Sequence, residues 1–183
     1  MEFNRLLHSK LDSIFEQNNL RVIEEYGGFV KLKSPFVVMS FSHDRMENSN
    51  SFFVGRDDAE YLVDADIAEL LFHLEEGKIF LRPETSEGDF LDNIVMLLES
   101  HEGKKLLSGE MSKLSDVDKY VNSKAKIYTS NLLNKQYLNA ANQSWEEKDY
   151  QGFIDNLSHT DKDKLPSSYR LKLKIAFQKI GLN

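Results

Sequence analysis

Apolar positions at Phe3, Leu7, Leu11 and Ile14 step by four, four and three, with Leu6 and Phe15 beside them. That spacing predicts an amphipathic helix over residues 2–17, stopped by Gln17-Asn18-Asn19. "LRVIEEY" (20–26) favours strand, and Gly27-Gly28 predicts a hairpin turn. In "FVKLK" (29–33), Val30 and Leu32 alternate with Lys31 and Lys33, so one side of that strand should be wet. Ser34-Pro35 makes a corner. "FVVMSF" (36–41) lacks alternation and suits a central strand covered on both faces. The polar run "HDRMENSNS" (43–51) then reads as a loop joining it to the strand "SFFVG".

A short helix over 64–74 follows, capped by Asp64 or Asp66, with Ile67, Leu70, Leu71 and Leu74 as its buried stripe. "KIFLR" (78–82) reads as a further strand ended by Pro83. Ser86 and Asp89 cap a helix carrying Leu91, Ile94, Val95 and Leu98, which Gly103 should end. Beyond the boundary at 103–115 the strand signal vanishes. One long or two joined helices start after Ser115, with Tyr128, Leu132, Ala141 and Trp145 near one face. Helices over 150–157 and from Pro166 onward complete the chain, the last burying Tyr169, Leu173, Ala176 and Ile180. The expected fold class is α+β: an N-terminal helix, an antiparallel sheet of about four or five strands with covering helices, then a C-terminal helical bundle or arm. The expected domains are 1–105, α+β, and 106–183, helical, either separate or packed on the first as a single globule.

Composition adds one sharp feature. The 183 residues carry a net charge of −7, but residues 1–110 hold 22 acids against 11 bases, and residues 111–183 hold 8 against 12. Between 57 and 76 stand eight carboxylates and no lysine or arginine: Asp57, Asp58, Glu60, Asp64, Asp66, Glu69, Glu75 and Glu76. Nucleic-acid binding by this half is not expected, because phosphates need clustered cations. The block can be a solvated face or a surface shaped for a basic partner, since opposed charge speeds encounter and disfavours wrong partners. The positive C-terminal segment could also dock on it, within one molecule or across a homo-oligomer.

Other chemistry finds little to build on. No cysteine is present, which excludes disulfides and thiolate sites. "DADIAE" lacks the glycine and spacing of a calcium loop, and Glu69 with His73 is one pair only, so no metal, cofactor or catalytic residue is expected. There is no phosphate-cradling glycine loop and no nucleophile elbow. His43, Asp44 and Arg45 are the residues to examine for a pocket, although neighbours on a strand point to opposite faces. The N-terminal stretch lacks a signal peptide's apolar run, and no segment is long enough to span a bilayer, so a soluble cytoplasmic protein with no membrane partner is expected.

Two resemblances follow from these residues. "LNAANQSWEEKDYQGFIDNL" (138–157) resembles one tetratricopeptide-like helical hairpin, with no second unit at the expected spacing; an ordinary helix pair with Trp145 as core anchor is the plainer account. The order helix, strands, helix in a small acidic chain resembles the bacterial toxin-immunity-type proteins, by architecture and charge and without a diagnostic motif. That resemblance implies a non-enzymatic protein-binding module, an inhibitor whose carboxylates meet a basic protein partner. Asp57, Asp58, Glu60, Asp64, Asp66 and Glu69 would pair with it, and Phe52, Phe53 or Tyr61 would anchor it if exposed. The alternatives are a small-ligand-binding protein or enzyme with a pocket between sheet and helices, and a scaffold working through the C-terminal helices.

Overall fold

The structure is a computed structural model that describes residues 2–57, 59–73, 81–110, 112–161 and 165–181. Helix α1 (Glu2–Gln17) leads into strands β1 (Arg21–Tyr26), β2 (Phe29–Lys33), β3 (Val38–Asp44), β4 (Ser49–Arg56) and β5 (Ala59–Leu62). Helices α2 (Ala65–Phe72), α3 (Glu87–Glu99), α4 (His101–Leu107), α5 (Ser112–Glu146), α6 (Tyr150–Ser158) and α7 (Ser167–Lys179) follow. The protein is α+β, as its patterning predicts. Its contacts separate two units, residues 1–120 and 121–183. Among the described residues no helix is long and apolar enough to cross a membrane.

In the first unit, the strands form a five-stranded antiparallel meander in the order β1-β2-β3-β4-β5. Each turn has a local cause. Gly28 adopts φ +80° in the β1–β2 hairpin, where any side chain would be strained. The Ser34 hydroxyl accepts from the amides of Phe36 and Val37, both at 3.2 Å, and closes the corner before β3. Antiparallel pairing puts alternate residues on opposite faces. Val30, Leu32, Met39, Phe41, Phe52 and Val54 therefore share one face, and all are buried. Helix α1 buries Phe3, Leu7, Leu11, Ile14 and Phe15, and the Phe15 ring lies 6.0 Å from that of Phe41. Helix α3 contributes Phe90, Leu91, Ile94, Leu97 and Leu98 to the core.

Several sequence expectations change. The polar connection after β3 shortens to residues 45–48, because His43, Asp44 and 49–51 belong to the strands. "AEYL" forms β5, a strand the patterning did not suggest. Of the expected strand 78–82, residues 78–80 lie outside the described residues, and Leu81 and Arg82 are not in a strand. Gly103 does not end a helix: Ser100 breaks α3 from α4, capping Gly103 through its hydroxyl at 3.0 Å. Gly103 sits inside α4, where a Cβ would collide with the Leu97 carbonyl oxygen and lie 2.7 Å from the Leu98 Cα.

In the second unit, Ala141, Phe153, Leu157 and Ala176 form a small core, with Leu138, Trp145, Tyr169 and Leu173 packed around it. Trp145 is the expected anchor: its ring lies 5.0 Å from Phe153 and 5.7 Å from Tyr150. The Asp149 side chain caps α6 by accepting from the Gly152 amide at 2.9 Å. The expected stripe on α5 is broken, however. Ala141 and Trp145 pack, but Tyr128 is 71% exposed and Leu132 is exposed with it.

The tight α3–α4 corner yields a direct test. Gly103→Ala should lower unfolding stability by about 1–3 kcal/mol, the usual cost of overpacking a close-packed site. Urea denaturation followed by circular dichroism measures it, with Gly88→Ala, where a Cβ meets only the Ser86 hydroxyl at 4.0 Å, as the mild comparison.

Candidate protein-binding surface

The cation-free block spans the end of β4, all of β5 and α2. Its carboxylates are not without cations in space. Glu60 lies opposite Gly55, which has no side chain to fill the reverse face of the sheet. The Glu60 carboxylate therefore folds inward, pairs with the Lys31 ammonium and accepts from the Ser40 hydroxyl, and its side chain is only 20% exposed. Lys33 donates to Asp57 at 2.6 Å, although Asp57 stays 67% exposed. The lysines come from β2, whose wet alternate positions were legible, and the sheet register carries them over β3 and β4.

Helix α2 carries the rest. The Asp64 side chain accepts from the Ile67 amide at 2.9 Å and caps the helix. Asp66 accepts from the Tyr120 hydroxyl at 2.6 Å, and the Tyr61 hydroxyl bonds Asp118. Glu69 is exposed. Asp64, Asp66 and Glu69 thus share a solvent-facing acidic helix, while Asp58, Glu75 and Glu76 lie outside the described residues. Of the anchor residues, Phe52 is in the core; Phe53 and Tyr61 are half-buried. His73 leaves the helix at φ +50°, so it does not continue a face with Glu69. Among the described residues no group of three or more His, Cys, Asp or Glu could hold a metal.

His43, Asp44 and Arg45 diverge. The Asp44 carboxylate accepts from the amides of Met46 (2.7 Å) and Glu47 (3.2 Å), which fixes the hairpin turn, and Arg45 is exposed. His43 points inward with a side chain 5% exposed. It stacks on Phe3 at 5.6 Å, lies 3.0 Å from Asn50 Oδ1 through Nδ1, and lies 3.3 Å from Glu87 through Nε2. Asn50, also buried, donates from its side chain to the carbonyls of Thr85 (2.7 Å) and Pro83 (3.3 Å). This node ties the β3–β4 hairpin to the start of α3.

Two charged contacts escaped the sequence because their partners are remote or scattered. Lys113 pairs with Glu102 and donates to the Leu71 carbonyl at 3.1 Å, joining α4, α5 and the end of α2. The hydrogen bond from Lys113, with its charge and that of Lys105, holds the Glu102 carboxyl below its ordinary range against partial desolvation. His8 lies 2.7 Å from Asp12 and 3.5 Å from Glu25. Burial is the largest single influence on His8 and opposes its charge, but the two carboxylates together outweigh it and raise its pKa.

These contacts set opposite pH dependences. Glu102 contributes stability that is present above its ordinary pKa of 4.5 and lost as pH falls through its lowered folded value. His8 contributes stability that is present below 6.5 and lost as pH rises through its raised value. Unfolding midpoints measured across pH should fall less steeply on the acid side in Glu102→Gln, and less steeply above neutrality in His8→Gln, than in the parent. Asn50→Ala should cost about 1–3 kcal/mol, since it removes a buried side chain that donates to the Thr85 carbonyl and lies against His43. Comparison of the chain with protein-family models, curated proteins and solved structures finds no match.

Proposed function

We propose that the first unit is a non-enzymatic protein-binding module of the immunity type, acting in the cytoplasm by presenting the acidic face of α2 to a basic protein partner. The observation that carries this reading is the charge imbalance of residues 1–120, 24 acids against 13 bases, with Asp64, Asp66 and Glu69 directed to solvent on one short helix. A field of one sign raises the encounter rate with an opposite partner and penalises wrong ones. Asp57 is 67% exposed but already pairs with Lys33, so it adds less to this field than the α2 carboxylates do. Glu60 serves the sheet instead, because Lys31 and Ser40 already hold its carboxylate.

The test is capture of partners on the immobilised protein at about 50 mM and about 500 mM salt, ionic strengths that differ several-fold in screening length. Basic proteins should be retained at the lower salt and released at the higher. The triple substitution Asp64→Asn, Asp66→Asn, Glu69→Gln should weaken capture about tenfold, since three exposed charges at ~0.5 kcal/mol each approach 1.4 kcal/mol. Salt-independent capture, retention by the triple variant, or no basic protein retained would overturn the reading.

A further inference from the structure

Edge strand β1 is the strand of the sheet least held by burial. None of its six residues is buried, and Val22, Ile23 and Tyr26 are 43%, 55% and 57% exposed. It pairs with β2 on one side only, and the register shifts between Val22 and Glu24, which leaves Ile23 as a bulge. Helix α1 holds it through two polar side chains one turn apart. Asn4 donates to Glu25 Oε1 at 3.0 Å and to the Tyr26 carbonyl at 2.8 Å, and its Oδ1 accepts from the Gly28 amide at 3.1 Å. His8 stands four residues on, with Nδ1 2.7 Å from Asp12 Oδ1 and Nε2 3.5 Å from Glu25 Oε2. The Glu25 carboxylate is thus shared between an amide that is always a donor and an imidazole that donates to it only with a proton on Nε2.

A neutral imidazole carries one N–H, so it donates to Asp12 or to Glu25 but not to both, whereas the imidazolium donates to both. The charged groups acting on the ring are Asp12 from its own helix and Glu25 from β1. Arg5 is exposed one turn earlier on α1. Helix α3 brings Asp92 to Lys10, which stands about 200° around α1 from His8. Burial opposes the ring's charge, but the two carboxylates outweigh it and lift its pKa above the ordinary 6.5. We infer that Asp12, His8 and Glu25 form a proton-operated latch that fastens edge strand β1 to α1. With the ring charged, both carboxylates are bridged. With it neutral, Glu25 is let go and β1 parts from β2 while the core stays folded. A segment with no buried side chain opens at lower free energy than the whole domain. The latch is closed below the ring's raised pKa and released as pH rises through it. Its release uncovers the edge of β2, whose backbone groups β1 otherwise pairs. The acidic face of α2 plays no part in it.

Hydrogen exchange of the full chain, read by mass spectrometry and divided by the intrinsic exchange rate at each pH, tests the latch. The β1 amides that bond to β2 should exchange faster than those of β3, through an opening that ~0.5 M urea does not accelerate, because a local opening exposes little surface. Between about pH 6 and about pH 8.5 that opening should become about two- to fivefold more frequent, the range of a partly exposed ion pair. His8→Gln should open at the lower pH as the parent does at the higher, and Glu25→Gln, which keeps an acceptor for Asn4, should do the same. His101→Gln, exposed at the start of α4, should behave as the parent does. Exchange of β1 only together with β3 and with the same urea dependence would overturn the proposal. So would a parent whose corrected β1 exchange is equal at both pH values, or a His8→Gln variant that keeps the full parental change.

Discussion

Burial of one face of the sheet is the constraint on which the first unit rests. Each of Val30, Leu32, Met39, Phe41, Phe52 and Val54 contributes about 1.5–3 kcal/mol by leaving water. A slip of one residue in any pairing would turn that strand's apolar set outward. Register is therefore fixed by the core, and the opposite face inherits whatever residues alternate with it. Lys31, Lys33, Ser40, Gly55 and Glu60 meet there as a consequence.

That inheritance changes the meaning of the acidic block. Along the chain, residues 57–76 contain no cation; in space, two of the carboxylates meet lysines that stand upstream in β2. A carboxylate that folds onto the sheet contributes to β5 pairing and is lost to a partner. The carboxylates of α2 differ because helix α2 turns them away from the sheet. Asp64 and Asp66 are each also held by a hydrogen bond, which orients the charge without neutralising it. Orientation matters for recognition, since a fixed charge loses less side-chain entropy on binding than a free one.

The elements legible in the sequence are those whose period is set by local burial. Helix α1 and strand β2 could be read because one continuous face of each is apolar. The two-glycine turn was legible because Gly28 requires a positive φ. Strand β5 was not, because "AEYL" carries two glutamate- or tyrosine-type polar positions and is only half-buried on an edge. Gly103 misled for a physical reason: a glycine marks either a helix end or a close approach, and only the neighbouring backbone of Leu97 and Leu98 distinguishes the two. From the sequence His43 reads as a loop residue, because the residues that follow it are polar. Its actual partners, Phe3, Asn50 and Glu87, come from three other elements. Of the acidic site, the residues were legible and their pairing was not, because pairing depends on register.

Helix α5 sets the limits of what local sequence can stabilise. Leu114 and Val117 are buried at its start and Ala141 near its end, while residues 122–132 between them are all exposed. That middle stretch holds Asn122, Ser123, Thr129, Ser130 and Asn131, all poor helix formers relative to alanine, by up to about 0.7 kcal/mol each. Helical propagation from two packed ends can carry such a stretch, since elongation is easier than nucleation. It draws little support from burial of its own apolar side chains, Ile127, Tyr128 and Leu132. The weak propensity and the exposed apolar side chains thus fall in the same eleven residues, and the middle of α5 depends for its helicity on the packed segments before and after it.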